Sequence, residues 1–497
     1  MKKIFAVLFV SLLILSCKQD QNGEAISYSI TFDKDNIKVA KVKVEFTPKD
    51  SILFMDHGAT NFDKGWATFI YNIKAVNDEG EPVELEEIPG AKWKINAPLH
   101  EKIVLTYDVH LDHEDYEWDG GIDGVAYTTD RGVFYTGRTL FIMNGEQRKN
   151  ITVDFKLPPN WRVTTPWKNI KAVASSYLVR DNTDLANAMI FAGTHKEISL
   201  KRDDFEFVFA LGTTEIINEE AIFQSLAEGV LDYYIELMGG IPRPSPDSPF
   251  KKMVVVISSH PSITDGEVIG NNISILIQKD ADQFSKTISR FIFAHEFFHL
   301  WNGKSFRPDS ENGEWFKEGL TNYYTLKALH HIGFLTDETY LDFLSNFFYK
   351  RYHDDNGLGR LAMANGEEKH EHWGLVYGGG MLAGIAQDML IRDATNNAKS
   401  MDDLMRSLFN KYGNSNDDYT LEELKIMMSE LSGIEQTEFF NSYVSGTEKI
   451  PIDSYLTLAG LDANIDNGNL IISKKEHQTQ QQRKIMEGLF GQLKSER

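Results

Sequence analysis

The chain of 497 residues contains one cysteine, Cys17, so no disulfide bond can form within it. It is also poor in positive charge, because 51 Lys and Arg face 73 Asp and Glu, which gives a net charge of −22. A surface of this sign repels phosphate, so nucleic acid is excluded as an expected partner, and a protein lying flat on anionic lipid is disfavoured. The negative charge favours solubility outside the cytoplasm.

The first residues form an apolar segment that is too short for a membrane span. Lys2 and Lys3 precede the apolar run from Ile4 to Leu15, which has the length of a signal-peptide core. The run ends in Leu-Ser-Cys, which resembles a bacterial lipoprotein processing box. We therefore expect Cys17 to be acylated and to anchor the protein in the bacterial cell envelope, on the periplasmic or surface face. The alternative is an ordinary signal peptide with an incidental thiol.

Hydrophobic residues make up 42% and charged residues 25% of the chain, as is usual for a globular protein, and the length suits two to four domains. We expect a lipoprotein signal peptide, a polar tether, an N-terminal antiparallel β-sandwich, a domain of mixed strands and helices, a helical part and a C-terminal extension. Their predicted bounds are 1–16, 17–25, 26–212, 213–335, 336–450 and 451–497. The fold class is α+β with several domains.

The two halves of the chain differ in hydrophobic period. Residues 41–46, 103–111 and 151–157 alternate apolar and polar side chains between turn signals, which is typical of a sandwich. Beyond residue 212 the patterns predict a helix over 219–237, buried strands over 252–258 and 272–278, and then mainly helices. Predicted helix starts include Thr336, Ser400, and Thr420 with Glu423 as a capping box.

The most specific pattern is FIFAHEFFHLWN at residues 291–302, which contains His295, Glu296 and His299 as H-E-x-x-H. Residues four apart lie on one face of a helix, so the two imidazoles can bind one zinc ion. Glu296 lies one step round the helix, beside the open coordination position, where it can act as a general base. Asp280 or Asp282 can cap this helix. The alternative is a buried helix with two hydrogen-bonded histidines.

A catalytic zinc ion needs a third protein ligand. Glu318 follows His299 by 19 positions, in the helical stretch GEWFKEGLTNYY. A helix, a turn and an antiparallel helix can bring its carboxylate back to the imidazoles. Two histidines and one glutamate hold zinc in thermolysin-type enzymes. We therefore predict one Zn²⁺ ion bound by His295, His299 and Glu318.

Together, HEFFHLWNGKSFRP and WFKEGLTNYY resemble the glycyl-aminopeptidase family of gluzincin zinc metallopeptidases. Residues 153–161, VDFKLPPNW, and 451–461, PIDSYLTLAGL, are also similar to that family. The resemblance implies an N-terminal β-domain, a thermolysin-like catalytic domain over 213–335 and a peptide substrate. The family's C-terminal PDZ domain is expected to be absent, because only 36 residues follow Leu461. Those residues are expected to form a strand pair and a surface helix.

The resemblance also implies two further site residues. Tyr377 matches a family tyrosine that donates to the oxyanion of the reacting carbonyl, although the lysine usual two residues later is Gly379 here. Glu267, in DGEVI, corresponds to a family glutamate that binds the free α-amine of the substrate, although the histidine that follows it in the family is absent here. A core tyrosine is the alternative for Tyr377. If Glu267 does not bind the amine, endopeptidase activity becomes favoured.

Other polar residues have less specific patterns. Asn302 and Asn322 are candidates for hydrogen bonds to the metal-binding histidines, or else surface amides. The pair His330-His331 and the triplet His370-Glu371-His372 lack a matching set of partners, so we interpret them as surface or loop residues and not as a second metal site.

The expected function is zinc-dependent peptide hydrolysis at the cell envelope, as an aminopeptidase acting on small N-terminal residues. Three alternatives remain. They are an endopeptidase of the same fold, a non-catalytic lipoprotein with structural zinc, and a gluzincin that hydrolyses a non-peptide substrate such as an epoxide. The sequence does not indicate an oligomeric state.

Overall fold

The computed structural model describes residues 25–118, 121–170 and 175–493. The predicted signal peptide, Cys17 and nearly all of the tether lie outside these residues. The chain forms two compact units that alternate along the sequence. The first comprises Met1–Asp112, Gly137–Pro159 and Trp167–Ala186, and the second comprises His113–Thr136, Asn160–Pro166 and Asn187–Arg497. The domain bounds predicted above stay predictions.

The larger sheet of the first unit has eight strands. Their spatial order is Lys168–Asn169, Ser176–Asp181, Lys149–Lys156, Ile26–Asp33, Asn36–Phe46, Ile103–His110, Ile70–Asn77 and Pro82–Val83. Side chains of Ile26–Asp33 alternate between buried and more exposed positions, as the period-two pattern predicts. The expected antiparallel arrangement has one exception, because Ile26–Asp33 runs parallel to Lys149–Lys156. These strands are distant in sequence, so no hairpin fixes their relative direction.

The first unit also contains a sheet of four short strands and three short helical segments. The strands are Met143–Asn144, Ile52–Phe54, Lys92–Ile95 and Leu85–Ile88, and the helical segments are Gly65–Phe69, Gly137–Leu140 and Asn182–Ala186. Two buried tyrosines of the larger sheet donate to carbonyls of the 137–144 segment. Tyr28 donates to Ile142 O at 3.0 Å, and Tyr107 to Leu140 O at 3.1 Å. These bonds satisfy both buried phenols and fix the segment against the sheet.

The second unit contains a four-stranded antiparallel sheet and a five-stranded mixed sheet. In spatial order, the strands of the antiparallel sheet are Arg162–Thr164, Met189–Gly193, Gly132–Thr136 and Tyr127–Thr129. The strands of the mixed sheet are, in spatial order, Lys196–Arg202, Phe205–Leu211, Lys252–His260, Asn272–Gln278 and Asp265–Ile269. The three inner strands of the mixed sheet are parallel, and each edge strand is antiparallel to its neighbour. Buried parallel strands read as continuous apolar runs, which is why 252–258 and 272–278 were predictable.

Helices form the rest of the second unit. The α-helices are Thr214–Asn218, Glu220–Met238, Gln283–Phe298, Glu314–His331, Asp337–Asp342, Lys350–Asp354, Gly379–Ala394, Met401–Tyr412, Leu421–Ser432, Thr437–Phe439, Ile452–Leu456 and Gln480–Leu489. Shorter 3₁₀ segments are His113–Asp115, Glu311–Gly313, Gly366–Glu368 and Thr457–Ala459, and π-helical segments are Phe343–Tyr349, Gly374–Gly378 and Phe440–Val444. An antiparallel strand pair, Leu461–Asp466 and Asn469–Lys474, precedes the last helix, as predicted.

Two helices begin or end at residues that the sequence predicts as caps. Asp282 accepts from Ser285 N at 2.7 Å, and Gly239 ends the helix predicted over 219–237 in a left-handed conformation, at φ 75°. The box predicted for Thr420 and Glu423 forms only in part. Thr420 accepts from Glu423 N at 3.1 Å, but the Glu423 carboxylate binds Lys411 and Tyr412 instead. Its side chain is drawn away by a neighbouring helix.

One helical stretch of the described residues, Gly374–Ala394, is long and apolar enough to cross a membrane. However, 89% of its most apolar window is buried inside the protein, as expected of a core helix. This helix packs on Glu314–His331 through glycines. A Cβ atom on Gly319 would lie 2.2 Å from the carbonyl carbon of Gly380, and one on Gly380 would lie 2.1 Å from Trp315 O. Only glycine permits this approach.

Candidate metal centre

The helix Gln283–Phe298, called the motif helix below, is fixed to the mixed sheet by aromatic side chains. Phe293 and Phe297 both pack on Phe209 of the sheet, with ring centroids 5.9 Å apart in each pair. The opposite face of the motif helix carries His295, and His299 follows at the helix end. The packing therefore presents the two imidazoles away from the sheet.

Three side-chain atoms meet on the face of the motif helix that points away from the sheet. His295 Nε2 and His299 Nε2 lie 3.1 Å apart, and Glu318 Oε2 lies 3.4 Å from the first and 3.2 Å from the second. Two ligands of a tetrahedral zinc ion, each about 2.0–2.1 Å from the metal, are separated by roughly 3.3 Å. The three atoms thus have the spacing of zinc ligands, and three is the number of protein ligands in a catalytic zinc site.

Hydrogen bonds from the side-chain amide of Asn302 hold the helix of Glu318 against the end of the motif helix. Asn302, just past the motif helix, donates to Lys317 O at 2.9 Å and to Thr321 Oγ1 at 3.2 Å. These acceptors flank Glu318 on the helix Glu314–His331. The Asn302 side chain is fully buried, so its amide fixes the distance between the two helices.

A backbone carbonyl orients one of the two imidazoles. His299 Nδ1 lies 2.9 Å from Asn302 O, which can only accept, so Nδ1 carries the proton and the Nε2 lone pair is free for a metal. Asn302 therefore makes the predicted contact with a histidine, and it does so through its backbone carbonyl. Asn322 donates to Tyr377 O at 3.4 Å and to neither histidine. His295 Nδ1 is buried without a hydrogen-bond partner among the described residues.

The second oxygen of Glu318 faces two lysines that the sequence reasoning missed. Oε1 lies 3.4 Å from Lys317 Nζ and 3.6 Å from Lys369 Nζ. Both lysines also bind Glu314, at 2.6 Å and 2.5 Å. Burial raises the pKa of Glu318, but the two neighbouring imidazoles outweigh burial and hold the pKa well below its usual range. Glu318 is therefore an anion, as a metal ligand must be.

Glu296 lies between the two histidines in sequence and lines the same cavity. Burial raises the pKa of its carboxyl group to about 7, with opposition from His295 and support from the carboxylates of Glu318 and Glu267. The structure thus places Glu296 beside the metal ligands but outside the set of three donor atoms. A carboxylate in this position can accept and release a proton.

Tyr377 lines the cavity from the π-helical segment Gly374–Gly378. Its ring stacks on Trp373 at 5.2 Å and on His295 at 6.5 Å between centroids. Burial, with the nearby charges of Glu318 and Glu296, raises the pKa of the phenol, so it is a neutral donor. The family lysine two residues after this tyrosine is Gly379 here, and there is a steric reason for glycine. A Cβ atom at this position would lie 2.7 Å from Met363 Sδ.

Glu267 lies on the edge strand Asp265–Ile269, but it is not among the residues that line the cavity. Its side chain packs on Gly124, where an added Cβ atom would lie 3.0 Å from Glu267 Cγ. Its charge nevertheless raises the pKa of Glu296. The neighbouring Asp265 does line the cavity. The role predicted for Glu267 therefore stays a prediction.

The cavity has a volume of about 910 Å³ and contains all three candidate metal ligands. One part of its wall is apolar and is formed by Val268, Ile288, Phe291, Ile292, Phe347 and Trp373. The remaining wall is polar and includes the segment 307–311 with Lys304, Lys317 and Lys369. Such a volume suits a small ligand of a few residues.

A second group of possible metal ligands lies in the described residues, although the sequence reasoning had found no matching partners there. Single donor atoms of Glu368, Glu371 and His372 fall within 4.8 Å of one another. His372 Nδ1 lies 2.8 Å from Asp355 Oδ1. Glu371 is exposed, and exposed acidic groups commonly cluster in this way without an ion.

Comparison with known proteins bears on both units. A family model described as the peptidase M61 N-terminal domain matches residues 63–194, and one described as M61 glycyl aminopeptidase matches residues 289–377. The chain is therefore similar to M61 peptidases over both of these segments. The match over 289–377 spans the candidate metal ligands, Glu296 and Tyr377.

The fold agrees with these two family matches. An aminopeptidase N family protein from Idiomarina loihiensis has a similar structure, with a TM-score of 0.72 at 17% sequence identity, covering 89% of this chain and 80% of that one. A search of curated proteins found no match. The two family matches identify the chain as a peptidase and confirm the predicted resemblance, and the structural similarity confirms the α+β fold class.

Proposed function

We propose that this M61 peptidase is a zinc-dependent aminopeptidase that acts on peptides with small N-terminal residues at the cell envelope. The observation that carries the proposal is the triangle of His295 Nε2, His299 Nε2 and Glu318 Oε2, with sides of 3.1–3.4 Å, in one cavity with Glu296 and Tyr377. A spacing of this kind rarely results from packing alone, because it brings uncompensated buried polar groups together.

Zinc fits the donor set better than other common ions. Two imidazole nitrogens and one carboxylate oxygen are the ligands of catalytic zinc, whereas calcium and magnesium prefer oxygen alone. When bound, zinc lowers the pKa of a coordinated water molecule and polarises the substrate carbonyl. His295, His299 and Glu318 would hold the ion, and Asn302 O would fix the His299 tautomer.

Glu296 is proposed as the general base and general acid. It accepts the proton of the attacking water molecule and then donates it to the leaving amine. Its position supports this role, since it lines the cavity next to His295 without being part of the ligand triangle. Tyr377 is proposed to donate its phenolic hydrogen to the carbonyl oxygen as negative charge develops there. Stacking on Trp373 holds the ring in place.

Aminopeptidase action requires a group that binds the free α-amine. Glu267 is the residue proposed from the family resemblance, and Asp265 on the same strand lines the cavity. Endopeptidase action is the second candidate, because the Glu267 side chain packs on Gly124 rather than lining the cavity. Parallel assays on peptides with free and with acetylated N-termini separate the two. An aminopeptidase cuts only the free form.

The proposed location rests on the sequence of residues 1–17, which lie outside the described part of the chain. Cleavage before Cys17 and acylation of its thiol and amine would anchor the protein in a membrane of the cell envelope. The Cys17→Ala variant should then appear in the soluble fraction, while the parent protein incorporates labelled palmitate and stays with the membrane. Palmitate-free protein in the membrane-free fraction of the parent would refute the anchor.

The catalytic proposal is tested by Glu296→Gln. This variant keeps the ligand triangle, so it should bind one zinc ion per chain and lose about 10²–10⁴-fold in kcat, the range typical of a general base. Zinc content by mass spectrometry and peptide cleavage by chromatography give the two readouts. Full activity of the variant would refute the role of Glu296.

A further inference from the structure

Lys304 is a cation that lines the cavity, and no carboxylate within the described part of the chain forms an ion pair with it. It lies in the turn after the motif helix and is half-buried. No ion pair or side-chain hydrogen bond is formed by its ammonium group among the described residues. The other lysines and arginines that line the cavity are paired: Lys317 and Lys369 with Glu314, and Arg307 with Asp418. A partly buried ammonium group with no partner is a candidate anion-binding site.

The turn that carries Lys304 is fixed relative to the metal ligands. Lys304 N donates to His299 O at 3.0 Å, and Gly303 N donates to Phe306 O at 2.8 Å. Gly303 adopts a φ of 144°, which favours glycine, and an added Cβ atom would lie 3.2 Å from His299 O. The backbone at Lys304 is therefore positioned by the same helix end that presents His299.

Asp265 and Lys304 line the cavity towards opposite ends of the motif helix. Asp265 lies on the edge strand that packs beside the helix at Ile292, where an added Cβ atom on Gly266 would lie 3.0 Å from Ile292 Cγ2. Lys304 follows the other end of the helix, beyond His299. At 1.5 Å per residue, Ile292 and His299 are about 10 Å apart along the helix axis. That length equals about three extended residues.

We propose that Lys304 binds a carboxylate of the peptide on the leaving-group side of the scissile bond, so that the preferred substrates are short peptides with a carboxylate within reach. This inference rests on the proposed peptidase function and adds a substrate class to it. The carboxylate is either the C-terminal group of a di- or tripeptide or an acidic side chain next to the cleavage site. In a partly buried site, a charge-assisted hydrogen bond is stronger than at the surface.

The surroundings of Lys304 favour an anion. Burial lowers the pKa of its ammonium group, and the positive charges of Lys317 and Arg307 lower it further, while Glu296 opposes them. A bound carboxylate would reverse this effect. The competing explanation is that Lys304 serves only to keep Glu296 ionised, since its charge lowers the pKa of that group. The two explanations differ in their dependence on the substrate.

The test compares three zinc-loaded proteins on matched peptides. The proteins are the parent, Lys304→Met and the control Lys399→Met, which removes the same charge from an exposed side chain outside the cavity. The peptides are Ala-Gly-Gly with a free carboxylate, its C-terminal amide, and the amide Ala-Asp-Gly. The parent and the control should prefer the free acid over its amide by about 10- to 100-fold in kcat/KM, and Lys304→Met should lose that preference.

The Ala-Asp-Gly amide distinguishes the two sources of the carboxylate. If the parent cleaves this amide as efficiently as Ala-Gly-Gly, and Lys304→Met loses that cleavage, then Lys304 binds an acidic side chain. If the parent cleaves this amide poorly, then Lys304 binds the C-terminal carboxylate. An equal loss on acid and amide in Lys304→Met would overturn the proposal and favour the effect on Glu296. If Lys304→Met does not fold, Lys304→Arg replaces it and should keep the preference for the free acid.

A failure of the proposed function is separable from a failure of this inference. If the parent cleaves none of these peptides, the aminopeptidase proposal fails. Calorimetric titration of the Glu296→Gln protein with Ala-Gly-Gly and its amide then decides the inference by itself. Tighter binding of the free acid, lost in the double variant with Lys304→Met, supports it. Equal binding of acid and amide contradicts it.

Discussion

Two clusters of buried charge share the helix Glu314–His331, and they are built in opposite ways. In the first, here called the matched cluster, Lys327 and Arg392 face Asp388 and Asp402. Arg392 lies 2.9 Å from Asp388 and 3.2 Å from Asp402, and Lys327 lies 2.8 Å from Asp402. Two phenols also donate to these carboxylates. Two positive and two negative charges balance, and each carboxylate is hydrogen-bonded.

The second cluster, at the candidate metal centre, has no such balance. Glu314 and Glu318 share the charges of Lys317 and Lys369. The carboxyl group of Glu296 forms no ion pair among the described residues, although it is buried beside this cluster. A divalent cation would supply the missing positive charge. The difference indicates that the matched cluster holds the fold together, while the second cluster is arranged for a ligand.

The direction of the pKa shifts expresses the same contrast. Burial raises the pKa of both Asp402 and Glu296. In the matched cluster, Lys327 and Arg392 outweigh burial and hold the pKa of Asp402 below its usual range. At the metal centre burial prevails and raises the pKa of Glu296 to about 7. Compensated charge therefore stays fixed in one protonation state, and uncompensated charge can change state near neutral pH.

The largest expected effect on stability comes from breaking the matched cluster. Asp402→Leu leaves two buried cations short of a partner, so we expect a loss of about 3–5 kcal/mol in the free energy of unfolding. Denaturant titration of the metal-free protein measures it. Glu318→Gln is the matched control and should cost less than a third as much, because Glu314 still neutralises the lysines. Equal losses would show that the two clusters do not differ as described.

The next effect concerns catalysis alone. Tyr377→Phe removes a proposed oxyanion donor and should lower kcat about 10²–10³-fold, while zinc content and the melting temperature stay as in the parent. Steady-state kinetics with zinc analysis provide the measurement. Tyr443→Phe removes a phenol that does not line the cavity and serves as the control. An unchanged kcat in Tyr377→Phe would remove this residue from the mechanism.

Removing the metal should affect stability less than breaking the matched cluster. Zinc at about 100 times its dissociation constant stabilises the folded state by about 2.7 kcal/mol, so a chelator should lower the melting temperature and abolish activity reversibly. Calorimetric scans with and without zinc give the shift. His299→Ala should melt at the same temperature in both conditions. A zinc-dependent shift that persists in this variant would place the binding site elsewhere.

The smallest expected effect concerns another buried carboxyl group of the second unit, Asp123, which has no neighbouring positive charge to compensate it among the described residues. Asp123 is 1% exposed, and burial, then the carboxylates of Asp265 and Glu267, raise its pKa to about 7 from 3.8. A raised pKa in the folded state contributes stability that is complete below about pH 3.8 and is lost as the pH rises through 7. Asp123→Asn should therefore be more stable than the parent at pH 8 and similar to it at pH 4.

The measurement is denaturant unfolding of both proteins at the two pH values. An exposed replacement, Asp115→Asn, provides the comparison at equal net charge. If Asp123→Asn is less stable than the parent at pH 8, then the carboxylate is compensated there and the acidic strand end is not a region of excess charge.

Much of the site was predictable because its signals are local. The H-E-x-x-H spacing follows from the helix period, and the Asp282 cap and the apolar strands before the motif helix have short sequence patterns. Glu318 was predictable because its helix follows the motif helix closely in sequence. A helix joined by so short a connection has few ways to pack other than against the motif helix. The π-helical segments were not predictable, and the helix predicted after Thr336 contains one at Phe343–Tyr349.

Contacts between distant residues had no such signal. Lys369 reaches Glu318 from a separate loop, and Gly380 matters only because Gly319 lies against it. The contact between His299 and the backbone carbonyl of Asn302 depends on the residue at which the motif helix ends. Sequence patterns do not determine the end of a helix to a single residue. The sequence therefore indicates the candidate metal ligands, while tertiary packing determines how their charge is balanced.

The most direct test is a crystal structure of the zinc-loaded protein with anomalous diffraction measured at the zinc edge. The account predicts one strong peak about 2.0–2.1 Å from His295 Nε2, His299 Nε2 and a Glu318 carboxylate oxygen, with Glu296 beside it and not bound to the metal. A peak at Glu368, Glu371 and His372 instead, or none within the triangle, would contradict it.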